Sequence, residues 1–266
     1  MPSSPKAVRS ILEGLRQALR EITADERKAT VAFSGGLDSS VVASLASEVA
    51  NVTALTVGYP ESPDLANASE ATRLLGLDWQ PIYLDDTRLI HGGISLLEAF
   101  PLLDPVALSF ELPLWILFAQ APTRLVLAGQ GADELYGGYA RYDELEGKDL
   151  RVALDHDLQR LLQETVPREE AMGRFHGKEL GLPYCHPLVL RPAQALPVAL
   201  RTGPRRKELL RRVAAALGIP SAIVERPKKA AQYGSGVMPA LRRLAKAEKR
   251  PILDLLRATN RARASP

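Results

Sequence analysis

Residues 34–40, which read Ser-Gly-Gly-Leu-Asp-Ser-Ser, lie between a short apolar run and a helical pattern. Paired glycines let the backbone approach an anion closely, and the N-terminus of a helix supplies unpaired N–H groups and the positive end of the helix dipole. The hydroxyls of Ser34, Ser39 and Ser40 add further donors. The segment is therefore typical of a phosphate-binding loop.

This loop contains no lysine, and the pattern Gly-x-x-x-x-Gly-Lys-Ser/Thr of the common NTPase loop occurs nowhere in the chain. A transfer of the terminal phosphoryl group with a lysine in the cradle is therefore not the expected chemistry.

A second glycine-rich segment, residues 125–139, again begins with strand-like residues and continues as Gly-Gln-Gly-Ala-Asp-Glu. Gly129, Gly131 and Asp133 are expected at the carboxyl end of a strand, where ligands of open α/β sheets gather. An acidic pair at a helix start is also favoured by the helix dipole alone. Beside a phosphate loop, however, Asp38 and Asp133 are predicted to share one Mg²⁺ that bridges phosphate oxygens.

Strand and helix patterns alternate in the first half of the chain. Apolar spacing predicts a helix over 6–22, then strands over 29–33, 52–57, 79–84 and 124–128, with helices over 38–50, 65–75, 87–99 and 107–120. This alternation predicts an α/β fold with an open, mostly parallel sheet and helices on both faces.

From about residue 142 strand signals give way to leucine-rich helical stretches, around 150–162, 207–217 and 237–256. We expect a nucleotide-binding α/β region over 1–145 and a mainly helical region over 146–266 that completes the active site.

Composition narrows the class of protein. Of 266 residues, 46% are hydrophobic and 24% charged, which fits a globular protein without a membrane partner, and the charges within the first thirty residues favour a cytoplasmic location. The single cysteine, Cys185, excludes an intrachain disulfide and multi-cysteine metal sites. Residues 201–250 hold fourteen Lys/Arg against three acidic residues, a block that fits either a solvated helix face or a phosphate-rich ligand.

The 34–40 segment resembles the signature of the PP-loop ATP pyrophosphatases. Together with residues 129–139 it resembles the synthetase domain of asparagine synthetase and of its relative, β-lactam synthetase. Three further segments resemble that family: Phe175–Tyr184, Lys207–Arg211, and Arg226-Pro-Lys228 with the downstream Gly234 and Gly236. The resemblance runs from about residue 29 to residue 237.

The resemblance implies an AMP- and pyrophosphate-forming ligase of amino-acid biosynthesis that adenylates a carboxylate and transfers it to ammonia or an amine, with ATP and Mg²⁺. It implies that Lys228 stabilises the transition state, for which Lys207 is the alternative lysine. It also implies that Glu179 faces the carboxylate substrate or acts as a base, and that Asp38 and Asp133 hold the metal. The implied nucleotide-binding residues are Ser34, Gly35, Gly36, Asp38, Ser39, Ser40, Leu55, Val57, Gly129, Gln130 and Gly131.

Three positions depart from the family pattern and leave the acceptor open, with aspartate as one candidate. Gln130 stands where the relatives carry glutamate or tyrosine, and an amide cannot accept a proton as a base. Gly181 replaces an arginine, and His186 replaces an aspartate.

The family's glutaminase half, with its cysteine after the initiator methionine, is not found in this sequence, where position 2 is Pro2. Nitrogen is therefore expected from free ammonia, a separate glutaminase subunit, or an amine already on the substrate. A homodimer stays open.

Two alternatives compete with this interpretation. One is a PP-loop enzyme that adenylates a base in tRNA, with residues 201–250 gripping phosphates. Sulfur-transferring enzymes of that kind need cysteine pairs, which are lacking, and residues 129–139 are not their signature, so nucleic acid is not the expected partner. The other is a nucleotide-binding regulatory protein that has lost catalysis, which predicts missing carboxylates or basic residues, yet both are present.

Overall fold

The computed structural model describes residues 5–100, 104–226 and 231–264. Its sheet has five strands, all parallel, in the order β3-β2-β1-β4-β5. The strands are β1 Lys28–Ala32, β2 Asn51–Gly58, β3 Asp78–Tyr83, β4 Leu125–Leu127 and β5 Glu179–Gly181. The predicted fold class is confirmed.

The helices before the second glycine-rich loop are α1 Pro5–Ile22, α2 Leu37–Ala46, α3 Pro63–Leu75, α4 Asp86–Ala99 and α5 Pro105–Gln120. Those after it are α6 Ala132–Tyr136, α7 Gly147–Arg160, α8 Val166–Phe175, α9 Pro187–Ala195, α10 Val198–Thr202, α11 Glu208–Ala216, α12 Ser221–Val224, α13 Ala231–Gly234, α14 Val237–Ala247 and α15 Ile252–Ala264. A turn of π-helix, Leu161–Thr165, joins α7 to α8. In the parts of the chain that the structure covers, no helix is long and apolar enough to cross a membrane.

Helices cover both faces of the sheet. Alternate residues of a strand point to opposite faces, and in β4 Leu125 and Leu127 pack in one buried cluster whereas Val126 packs in another. The first cluster includes residues of α1, α2 and α11, and the second those of α4, α5 and α14. The sheet is therefore enclosed between two apolar layers, which leaves its carboxyl edge as the place for polar loops.

Strand β5 was missed by the sequence patterns because it has three residues and ends in a glycine. A Cβ at Gly181 would lie 2.7 Å from Ile22 Cγ2 and 2.7 Å from Leu127 Cδ2. Any larger side chain would have to displace α1 or β4. Close packing at Gly181 therefore leaves no room for the arginine that the resembled family pattern has at this position.

The predicted helix over 237–256 is two helices, α14 and α15. Lys249 has a φ of 51°, in the left-handed region, and Pro251 follows it, so the helical hydrogen-bond pattern is interrupted between Ala247 and Ile252. The second region also contributes β5 to the sheet. A division of the chain near residue 145 stays a proposal.

The packing of α1 generates a stability prediction. Ile11 is fully buried in the apolar cluster that α1 shares with α2, α9 and α11, so Ile11→Ala should lower the free energy of unfolding by about 2–5 kcal/mol through lost contacts and a residual cavity. Its neighbour Leu12 is only partly buried, so Leu12→Ala should cost less than half as much. Urea unfolding of both variants measures the difference, and equal losses would show that α1 is not packed in this orientation.

Candidate active site

The loop between β1 and α2 is shaped by Gly35, whose φ is +69°. A Cβ at this position would lie 2.4 Å from both the carbonyl carbon and the oxygen of Asn67 in α3. Only glycine permits both the left-handed conformation and this close approach. The loop is therefore pressed against the first turns of α3.

Serine side chains stabilise the loop from within. Ser39 Oγ accepts a hydrogen bond from the Ser34 backbone N–H at 3.3 Å and lies 3.3 Å from the Gly36 carbonyl oxygen. Gly36 precedes α2 without a side-chain cap, so the helix N-terminus is open to an anion. The buried Ser40 hydroxyl has no hydrogen-bond partner within the described chain.

The second loop, between β4 and α6, lies beside the first at the carboxyl edge of the sheet. A Cβ at Gly129 would lie 3.2 Å from Asp38 Cβ, so glycine lets the two loops come into contact. Gly131 has a φ of +94°, and a Cβ there would lie 2.9 Å from Cys185 Sγ. The segment around Cys185 therefore closes against this loop.

Lys207 connects the two predicted metal-binding carboxylates. Its Nζ lies 2.5 Å from Asp38 Oδ2 and 2.7 Å from Asp133 Oδ1, and its side chain is 5% exposed. The residue has a left-handed φ of 60°, and its backbone N–H donates to the Tyr136 carbonyl at 3.1 Å. We call Asp38, Lys207 and Asp133 the ion triad.

Gly138 provides the space for this triad. A Cβ at Gly138 would lie 1.7 Å from Asp133 Oδ1 and 2.3 Å from Lys207 Cε. Burial lowers the pKa of the Lys207 ammonium, and the Asp38 carboxylate opposes that shift. The lysine can therefore stay charged in a buried place because carboxylates surround it.

The two carboxylates of the ion triad are suitable oxygen donors for the predicted Mg²⁺ site. Asp38 Oδ1 is buried and has no hydrogen-bond partner among the described residues, and carboxylate oxygens are the ligands Mg²⁺ prefers. Within the described chain no cluster of three or more His, Cys, Asp or Glu residues could hold a metal. Two carboxylates with phosphate oxygens from a nucleotide would supply a common set of Mg²⁺ ligands.

Leu55 and Val57 lie in the carboxyl half of β2, which pairs with β1. Both side chains are buried in the apolar layer on one face of the sheet. The pairing of β2 with β1 therefore places both residues near the loop that follows β1. Their contact with adenosine stays a prediction.

Glu179 requires a correction. It is the first residue of β5, paired with Leu125 at the amino end of β4, whereas the two loops follow the carboxyl ends of the strands. Its side chain is 54% exposed and forms an ion pair with Arg124. The structure does not place Glu179 with the triad, and Lys228 lies outside the described residues.

A buried carboxylate beside Gln130 was not predicted. Glu169 of α8 is fully buried, and its Oε2 accepts a hydrogen bond from Gln130 Nε2 at 3.0 Å. Its other oxygen, Oε1, has no partner within the described chain. Burial raises the pKa of Glu169 well above the ordinary range, and the nearby Glu111 carboxylate raises it further.

Glu111 lies in the apolar run of α5 and is held by Arg168, whose Nε and Nη2 donate to Glu111 Oε1 at 2.8 and 2.5 Å. An acidic residue inside an otherwise apolar helix is a sequence signal for a buried polar site. Glu169 offers no such signal, because residues 166–175 carry several charges.

The 175–184 segment meets the loops through Tyr184, which is fully buried and donates from its hydroxyl to the Asp38 carbonyl at 3.1 Å. His186 instead lies at the N-cap of α9, where its Nδ1 accepts from the Leu188 N–H at 3.4 Å, and its Nε2 lies 3.4 Å from Glu21 Oε2. His186 thus caps a helix at a place where the family has an aspartate.

A parallel sheet has two glycine-rich loops at its carboxyl edge and a buried lysine between two carboxylates. These features define an α/β protein with a candidate site at that edge. Comparison with protein families identifies which one. The model of the asparagine synthase family matches residues 10–153 and 144–261, and the chain belongs to this family.

Two curated relatives illustrate the match. A protein named asparagine synthetase (glutamine-hydrolyzing) 1 from Methanocaldococcus jannaschii is 29% identical over 249 residues, covering 79% of this chain and 46% of the relative. A carboxyethyl-arginine β-lactam synthase from Streptomyces clavuligerus is 28% identical over 244 residues, covering 90% of this chain and 47% of the relative. The chain spans about half the length of these relatives.

Among solved structures, an NMN synthetase from Francisella tularensis aligns with a TM-score of 0.47 and 14% identity, over 97% of this chain and 86% of that one. A U34-tRNA thiolase from Methanococcus maripaludis aligns with a TM-score of 0.43 and 15% identity, over 98% and 80% of the two chains.

The raised pKa of Glu169 predicts how stability changes with pH. Between the usual glutamate pKa and the raised pKa, the folded state keeps the Glu169 proton and the unfolded state releases it. The free energy of unfolding therefore falls as pH rises through this window. Glu169→Gln removes the ionisable group while keeping the shape and the Gln130 contact. Its stability relative to the native protein should increase upward from about pH 4.5, by about 1.4 kcal/mol for each pKa unit of the shift.

Urea unfolding from pH 4 to pH 9 measures this difference. Glu170→Gln is the matched control, because the Glu170 side chain next in sequence is 45% exposed and the variant reports the same substitution at an exposed position. If the difference in the free energy of unfolding between Glu169→Gln and the native protein did not change with pH, the raised pKa assigned to Glu169 would be contradicted.

Proposed function

We propose that this chain is an AMP-forming carbon–nitrogen ligase. In the first step a carboxylate oxygen attacks the α-phosphorus of ATP, the bond to the β-phosphate oxygen breaks, and pyrophosphate leaves. In the second step an amine attacks the acyl carbon of the adenylate, loses a proton, and expels AMP to give an amide. The single observation that carries this proposal is the ion triad between two glycine-rich loops, in a chain of the asparagine synthase family.

The residues of the triad have complementary parts in this proposal. The open N-terminus of α2 and the serine hydroxyls of the loop would bind phosphate oxygens. Lys207 would move its ammonium from the carboxylates toward phosphate oxygens when ATP binds. Asp38 and Asp133 would hold Mg²⁺, which when bound neutralises charge on the departing pyrophosphate. Lys207 would thus be a second cation at the site besides Lys228, to which the family resemblance gives the transition-state role.

The acceptor pocket is proposed to differ from that of asparagine-forming relatives. Gly181 has no room for an arginine side chain, and His186 is used as a helix cap. Gln130 donates a hydrogen bond to the buried carboxyl group of Glu169. A small carboxylic acid remains the proposed substrate class, with aspartate as one candidate.

Nitrogen is proposed to come from ammonia or an amine. Cys185 is the one cysteine of this sequence, and burial raises the pKa of its thiol to about 12. Such a thiol is a poor nucleophile near neutral pH, so glutamine hydrolysis by this residue is disfavoured. A separate glutaminase subunit would be one source of ammonia.

The test is a product analysis with ATP, Mg²⁺, ammonium and a panel of carboxylic acids. We expect AMP and pyrophosphate in equal amounts, and a fall of roughly 10²- to 10³-fold in turnover for Asp133→Asn. Glu179→Gln is the control and should stay within a few-fold of the native rate, since that side chain lies at the other end of the sheet. Formation of ADP and phosphate instead would overturn the proposed function.

A further inference from the structure

Arg226 reaches from the helical second region into the phosphate loop. Its Nη1 donates to the Gly35 carbonyl at 2.6 Å and to the Asn67 carbonyl at 3.0 Å, and its Nη2 donates to Glu70 Oε2 at 2.7 Å. The side chain is 10% exposed. One guanidinium group thus joins the loop, α3 and the chain after α12.

The Gly35 carbonyl belongs to the same planar unit as the Gly36 N–H. In a trans peptide these two groups point in opposite directions, and rotation of the unit moves both together. No described peptide bond of this chain is cis. A donor that holds the Gly35 oxygen on the α3 side therefore turns the Gly36 N–H away from α3.

The two glycines make an external partner necessary to hold this peptide in one orientation. Gly35 is free to adopt several backbone conformations, and the loop has two consecutive glycines. Without an external partner the Gly35–Gly36 peptide could rotate, and its N–H would not be held in one direction. Arg226 contributes two donors to neighbouring carbonyl groups, and the Glu70 carboxylate holds the guanidinium from the solvent side.

We propose that Arg226 is a positioning residue for nucleotide binding, which fixes the Gly35–Gly36 peptide so that its N–H is presented to a phosphate oxygen. This inference rests on the proposed ATP-dependent function. It assigns a role within the phosphate loop to a residue 191 positions from Gly35 in sequence, on the segment that leads to Lys228 two residues later.

The experiment measures binding and loop order without turnover. ATP with Mg²⁺ is titrated by calorimetry into the native protein, Arg226→Met, Arg226→Lys and Arg73→Met, with no carboxylic acid present. Arg226→Met should weaken ATP binding by about tenfold or more, because charged donors to the loop are lost. Arg226→Lys should lose only about two- to threefold, since one ammonium can still donate to carbonyl groups. Arg73 is an exposed residue of α3, the helix that carries Glu70. Arg73→Met is therefore the control and should bind ATP with native affinity.

Hydrogen exchange of the ligand-free proteins supplies the second measurement. Amides of residues 35–40 should exchange at least about tenfold faster in Arg226→Met, while strands β1 and β2 keep their protection. Should Arg226→Met fail to fold, Arg226→Lys and Glu70→Gln carry the test. Each weakens the hold on the loop and should raise exchange of residues 35–40 by about two- to threefold, and native exchange in both would overturn the inference.

The outcomes separate the two proposals. A native protein that does not bind ATP would overturn the proposed function. Native ATP binding together with equal affinity and equal loop exchange in Arg226→Met would overturn the positioning role of Arg226 alone.

Discussion

The constraint on which the site depends is the burial of the Lys207 ammonium between two carboxylates. Removing an ion from water costs several kcal/mol unless partners with good geometry replace the solvent. Two carboxylates and one ammonium leave a formal charge of −1 at the place where the two loops meet. That excess charge makes the site ready to accept a cation, and the lysine prevents the carboxylates from repelling each other before a ligand binds.

Several local features follow from this constraint. Gly138 must lack a side chain, because any Cβ would overlap Asp133 and Lys207. Lys207 must adopt a left-handed backbone, a conformation that costs a non-glycine residue of order 1 kcal/mol or more. The hydroxyl of Tyr184 donates a hydrogen bond to the Asp38 carbonyl and so holds the backbone of that residue. These positions belong to separate parts of the sequence, and all of them pack around the ion triad.

The sequence was informative where structure is local. The strand, glycine loop and helix around residues 34–40 could be predicted because each step has a short pattern, and so could the convergence of Asp38 with Asp133, since carboxyl ends of parallel strands share an edge. Contacts between distant residues could not. The pairing of Lys207 with Asp38 joins positions 169 residues apart, and no spacing indicates which lysine will be buried. The role of Glu179 came from the family resemblance alone, because a three-residue strand carries no periodicity that could show at which end of the sheet this residue lies.

The most direct test of the ion triad is a set of neutralising substitutions measured in the absence of ATP and Mg²⁺. Lys207→Met leaves two neighbouring carboxylates without their shared cation, and it should lower the free energy of unfolding by about 3 kcal/mol or more. Adding Asp38→Asn and Asp133→Asn to that variant removes the stranded charges and should restore at least half of the loss. Urea unfolding at neutral pH measures both. A Lys207→Met protein as stable as the native chain, or a triple variant no more stable than the single one, would show that the triad does not hold the site together.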